Sequence, residues 1–269
     1  MFQRLSYYFE MLARNPLDFV IFLLYELLVI SISFSFHEYA HARVAFLCGD
    51  PTARNLGRMT LDPRAHLSLT GTLALFFLGF GWGKPVPVVH RNFKHKRRWL
   101  DDFAVSVAGI TMNFLLFLAC LILSLAVNRF LWEPDFLATA PWSTLVNPCR
   151  GFGVILAMDG ITDIARELSA FSPNPWLIYI QHFLLLMALT NLTLAIFNFL
   201  PIPPLDGFHM VNDLLFKGRI RMSQNVALIV QYALLALVLV GVLTGVLSDV
   251  VDAVYTGILK LVLAVIGQT

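Results

Sequence analysis

The sequence predicts an all-α polytopic membrane protein, and three observations carry that prediction. Of its 269 residues 58% are hydrophobic and only 13% charged, with a mean hydropathy of +0.74, a mix far from that of a soluble globular domain. The apolar residues gather into runs of about 20, the length that crosses the hydrocarbon core as a helix. Thirteen of the 19 lysines and arginines fall in segments that one assignment puts on the same side of the membrane, as the positive-inside rule requires. The length allows about four to six transmembrane helices, with a re-entrant segment and short cytosolic strands in one membrane-embedded domain spanning 1–269.

The first apolar run extends from about Leu17 to Leu47 with no proline or glycine inside it, and Gly49, Asp50 and Pro51 end it. No small-residue cleavage site follows, so it reads as a retained helix and not as a signal peptide. Residues 52–66 carry Arg54, Arg58 and Arg64 among Asn55, Gly57, Asp62 and Pro63, a composition of turns and short strands outside the hydrocarbon. The apolar stretch 67–82 is only 16 residues long and is diluted by Ser68, Thr70, Thr72 and glycines. It therefore suits a re-entrant segment, and basic residues on both its flanks want the cytosolic side. A second helix is expected over about 103–127 and a third over about 176–200, separated by a proline-bearing stretch on the opposite side. A short amphipathic piece ending in Lys217, Arg219 and Arg221 returns to the cytosolic side. A fourth helix fits 224–247, and the run at 253–266 is either a crossing or an interfacial helix. The core then spans about 17–215, with C-terminal helices over about 222–266.

Three scattered cysteines, Cys48, Cys120 and Cys149, exclude a disulfide framework or a cysteine metal cluster. No basic block interleaved with aromatics points to nucleic acid.

The chemistry is carried by His37-Glu38-Tyr39-Ala40-His41. This HExxH pattern on a helix puts two imidazoles at i and i+4 on one face, where they grip a single zinc ion. Glu38 then lies beside the metal, able to take a proton from water that the metal has acidified and to deliver it to a departing amine. With seven histidines and five glutamates in the chain, chance produces the pattern with a probability of roughly 0.003. The bland alternative, a pair of surface histidines, is weakened further by the cost of ionisable groups at the end of an apolar helix.

A catalytic zinc site wants a third protein ligand and an open position. Asp206 stands out, because Asn198-Phe-Leu-Pro201-Ile-Pro203-Pro204-Leu205-Asp206-Gly207 sets a lone carboxylate at the end of another apolar helix. Asp213 and Asp62 compete for the role. The prolines free backbone groups that are tolerated at membrane depth only where they line a cavity.

Together the two motifs resemble the site-2 protease family of intramembrane metalloproteases, in which HExxH is completed by an aspartate in an Asn-x2-Pro-x4-Asp-Gly motif. Asn198, Pro201, Asp206 and Gly207 match that spacing. The resemblance covers about residues 30–215, including Gly57-Arg58, Leu61-Asp62-Pro63, the 84–88 stretch Lys-Pro-Val-Pro-Val and Ala108-Gly109-x3-Asn113. It departs at Ile110, where the family usually has proline. It implies His37, His41 and Asp206 as ligands of one Zn2+ per chain, Glu38 as the catalytic base, and Asn198 in substrate positioning or oxyanion stabilisation. It further implies peptide-bond hydrolysis in or near transmembrane helices of protein substrates, within the lipid bilayer. No insertion large enough for a PDZ or a pair of CBS domains is expected, and the compact form suggests a bacterial inner membrane with the site near the cytosolic face.

The rival is a transporter or channel that handles metal ions or protons, whose signature of internal repeats is missing here. Among the other histidines, His66 and His209 are candidates for orienting ligands. His90 and His95 read as solvated residues of a basic loop, and His182 as a packed or interfacial one.

Overall fold

A computed structural model describes residues 2–78, 81–95, 97–149, 161–220 and 223–267. In chain order the helices are α1 (Phe2–Arg14), α2 (Pro16–Cys48), the single turns α3 (Thr52–Asn55) and α4 (Pro63–His66), and α5 (Leu69–Leu78). They continue with α6 (Arg98–Leu131), α7 (Pro134–Thr139), α8 (Trp142–Leu145), α9 (Ile161–Leu168), α10 (Leu177–Phe199), α11 (Asp206–Phe216), α12 (Gln224–Val240) and α13 (Val242–Val265).

Three of these, α2, α6 and α10, are long and apolar enough to cross a membrane. Their faces are inverted relative to a soluble protein. Leu24 and Leu28 of α2 and Leu115, Ile122 and Leu123 of α6 are exposed, while Ser33, Ser35, His37, Glu38 and His41 of α2 and Asn113, Ser124 and Asn128 of α6 are buried. Hydrocarbon is the solvent that makes this arrangement favourable, because polar groups there need partners inside the protein.

The short strands expected over 52–66 are not found among the described residues. Asp62 caps α4, accepting from the backbone N–H of Arg64 at 3.0 Å, and the one isolated bridge joins Leu67 to Gly83. Proline at the first position of α4 and the Asp62 cap favour a helical turn over extension. The stretch 67–82 holds the ten-residue α5, too short for a crossing, while Gly79 and Phe80 lie outside the described residues. The single helix expected over 224–247 is two, because Gly241 takes a φ of 86° and closes α12 as a left-handed cap. The run at 253–266 belongs to the 24-residue α13. Helix α1, amphipathic and preceding the first apolar run, was not expected from the sequence.

The chain packs as two compact units. The first comprises 31–114 and 193–247. Its small apolar core sets Ala45 and Cys48 of α2 against Phe93 and Val105, with Val44 and Val88 at the margin. The second comprises 2–30, 115–192 and 248–269. There Asp18, fully buried, accepts from the Thr162 N–H at 2.9 Å and from Asn15 Nδ2 at 2.9 Å. Tyr255 stacks edge-on with Phe117 and donates to the Val146 carbonyl at 2.9 Å.

Candidate metal centre

The uninterrupted helix α2 delivers His37 and His41 one turn apart, with their Nε2 atoms 3.0 Å from each other and both rings buried. Each ring is held from behind by α6. His37 Nδ1 lies 3.1 Å from Asn113 Oδ1, and His41 Nδ1 lies 2.7 Å from the Val105 carbonyl. Both partners are acceptors, so Nδ1 carries the proton and Nε2 is left with a lone pair facing the other imidazole. The approach of α6 depends on Gly109, where a Cβ would come within 2.3 Å of His41 Nε2 and 2.5 Å of His37 Cε1. No side chain larger than hydrogen fits there.

Asp206 reaches the same point from α11. After α10 ends at Phe199, the Pro201, Pro203 and Pro204 run cannot continue the helix, and the chain turns at once into α11, whose first residue is Asp206. Gly207 permits that turn, since a Cβ on it would overlap the carbonyl oxygens of Phe199 and Leu200 at 2.2 and 2.5 Å. Asp206 Oδ2 is 3.3 Å from Nε2 of each histidine. It is buried and has no hydrogen-bond partner.

One ligand atom from each of His37, His41 and Asp206 lies within 4.8 Å of the others. Two imidazole nitrogens and a carboxylate oxygen form a donor set suited to zinc. An orphaned buried carboxylate oxygen aimed at two imidazole lone pairs is what a cation between them would satisfy, so the residues present fit the metal.

Glu38 is adjacent in sequence and also buried. Its Oε2 accepts from the Val86 N–H at 2.8 Å. The strip that supplies this N–H is pinned on both sides. Lys84 N–H donates to the His66 carbonyl at 2.6 Å, and the Lys84 and Pro85 carbonyls accept from the Arg58 guanidinium. Val89 N–H donates to Asp50 Oδ2 at 2.7 Å.

The other candidates fall elsewhere. Asp62 is tied up by the Arg64 guanidinium, with contacts of 2.7–3.0 Å. Asp213 is buried two turns along α11 and is not among the grouped ligands. The Asn198 amide donates to the Leu194 carbonyl within its own helix at 3.0 Å. His66 is buried against the Thr60 carbonyl, and His209 packs on Phe208. His90 and His95 are exposed, yet each is paired with a carboxylate, Asp102 and Asp101. His182 packs against Tyr25 in the second unit.

Residues 25–241 match the sequence profile of Peptidase family M50. The chain belongs to that family, the site-2 protease family. This M50 peptidase is 34% identical over 201 residues to the protein named "Putative zinc metalloprotease YwhC" of Bacillus subtilis, covering 74% of each chain. It is 35% identical over 108 residues to "Putative zinc metalloprotease Rip2" of Mycobacterium tuberculosis, covering 38% of this chain and 39% of the relative. No solved structure matches the chain. Its family and its apolar helices make it an integral membrane protein of the site-2 protease type. Sequence reasoning assigned no role to Val86 or Val105, which act through backbone atoms and leave no side-chain signal. Gly109 and Asn113 were visible only as part of the family-like pattern.

Proposed function

We propose that this M50 peptidase is an intramembrane zinc metalloendopeptidase that hydrolyses peptide bonds in or beside transmembrane segments of protein substrates, as in regulated intramembrane proteolysis. The carrying observation is the convergence of His37, His41 and Asp206 on one point with Glu38 beside them. These three residues hold one zinc ion per chain. Bound there, zinc supplies a Lewis acid that polarises the substrate carbonyl and acidifies water.

The rest of the work falls to the chain. A substrate helix first unwinds locally, because a helical peptide is shielded by its own hydrogen bonds. Glu38, fixed by the Val86 N–H, accepts a proton from the attacking water and returns it to the leaving nitrogen. Asn113 and the Val105 carbonyl keep both imidazoles in the ligating tautomer and orientation. Asn198 positions the substrate peptide, a role that requires its amide to leave the Leu194 carbonyl. The 67–82 stretch presents or gates substrate as a re-entrant segment. The whole chain acts as one protease domain of a bacterial inner membrane, with the site near the cytosolic face.

The test is cleavage of a panel of single-span substrates in liposomes. Glu38→Gln should lower the rate by about 10²-fold or more, and a zinc chelator should abolish cleavage. Asp206→Ala should lose bound zinc in the purified protein. Cleavage that survives the chelator, or zinc content unchanged in Asp206→Ala, would overturn the reading.

A further inference from the structure

The proposed chemistry leaves unused a basic recess at the start of α6. A cavity of about 600 Å³ opens there, lined by Lys94, Arg98, Trp99 and Lys217 together with His95 and Asp102. Asp102 is engaged by His90, and His95 is bonded to Asp101. Among the described residues no ion pair takes up Lys94, Arg98 or Lys217. The recess thus gathers three cations without an ion-pair partner among the described residues, outnumbering the Asp102 carboxylate in its wall, and an anion would neutralise them.

What kind of anion follows from the neighbouring surface. A second cavity of about 340 Å³ shares Lys217 and is walled by Leu215, Phe216 and Ile220, with Arg219 at its side. Leu215 and Phe216 are 67% and 47% exposed. A soluble phosphate would use the cations and leave this apolar cleft unexplained. A phospholipid uses both, with its phosphate in the first cavity and an acyl chain on the second. The depth is also right: Trp99, of a residue type that favours the headgroup level, lies at the first turn of the membrane-spanning α6.

We propose that this recess binds the phosphate headgroup of an anionic membrane phospholipid through Lys94, Arg98 and Lys217. Each cation belongs to a different support of the metal centre. Lys94 follows the strip whose Val86 N–H holds Glu38, and Arg98 opens the helix that carries Val105, Gly109 and Asn113. Lys217 caps the helix that begins with Asp206. One bound headgroup therefore ties together the three elements that assemble the site, and it does so whether or not the catalytic reading holds.

The experiment compares the full chain in phosphatidylcholine bilayers with and without phosphatidylglycerol. Native mass spectrometry counts retained lipid, and thermal unfolding reports stabilisation. The pocket variant is Lys94→Gln with Arg98→Gln and Lys217→Gln. A charge-matched control changes Arg43, Arg54 and Arg91 to Gln. Wild type and control should retain phosphatidylglycerol preferentially and unfold at higher temperature with it, whereas the pocket variant should retain about tenfold less. Should the triple variant not fold, Arg98→Gln and Lys217→Gln singly should each lower retention, and unchanged retention in both overturns the proposal. Equal losses in pocket and control variants would reduce the effect to diffuse surface charge and overturn it. Stabilisation by inorganic phosphate in phosphatidylcholine alone, matching that by phosphatidylglycerol, would also overturn the lipid assignment.

Discussion

At the residue scale, the proposed metal centre depends on what stands behind the candidate ligands as much as on those ligands. Gly109 offers no side chain to the imidazoles, and a methyl group there would sit within 2.3–2.7 Å of ring atoms of both. Asn113→Ala should lower zinc affinity by about 10–100-fold, the usual effect of removing a group that orients a ligand. Gly109→Ala should lower it more, because both rings must move. Zinc titration of the purified proteins checks the order, and a Gly109→Ala protein binding like wild type would contradict the packing described. Asp213 offers a pH-dependent counterpart. Burial, and next the charge of Asp102, push its pKa up to about 7 against an opposing effect of His90. The folded protein thus keeps a proton that the unfolded chain releases near pH 4, so stability should fall as pH rises from about 4 to 7. Asp213→Asn should flatten that slope in thermal unfolding followed across this range.

At the element scale, the Asp50 carboxylate ties the strip 84–93 to the end of α2, beside the bond from Lys94 N–H to the Cys48 carbonyl at 3.0 Å. Asp50 is fully buried and accepts from Thr52 N–H, Val89 N–H and Asn92 Nδ2 at 3.1, 2.7 and 2.8 Å. Asp50→Ala would strand those donors, at a cost of about 1–3 kcal/mol each where they stay buried. Because Thr52 and Val89 are only half-buried and Asn92 is exposed, the expected result is a destabilisation of about 1–3 kcal/mol in unfolding measurements. Faster hydrogen exchange should appear over residues 84–92, with cleavage falling because Val86 no longer fixes Glu38. Exchange unchanged over this strip would show that Lys84 and Arg58 suffice to hold it. Helix bounds read from composition came within about five residues for α2, α6 and α10, since each is one long apolar run closed by glycine, proline or charge. The 224–247 run was misread as one helix because hydropathy does not register a left-handed residue such as Gly241.

At the scale of the whole molecule, the exposed leucines and buried polar side chains of the long helices describe a protein turned toward lipid. If α6 crosses the bilayer, its ends lie on opposite sides. Single cysteines placed at Arg97 and Trp142, in a background lacking Cys48, Cys120 and Cys149, should then be labelled by an impermeant reagent from opposite faces of sealed vesicles. Labelling of both from one face would contradict the crossing. The 13 basic residues behind this topology include Lys96 and Arg221, which lie outside the described residues.

Local rules reach as far as local causes do. The apolar runs, the HExxH spacing and the proline run before Asp206-Gly207 are properties of neighbouring residues, and from them the helical membrane class and the candidate ligands followed directly. Asp206 could be favoured over Asp213 and Asp62 in sequence, but only the tertiary structure brings its Oδ2 to 3.3 Å from both imidazoles and gives Asp62 to Arg64. The same holds for Val86 against Glu38 and Val105 against His41, contacts 48 and 64 residues apart in the chain. Backbone atoms are chemically alike at every position, so which of them meets a side chain of the candidate site is decided by how distant segments pack.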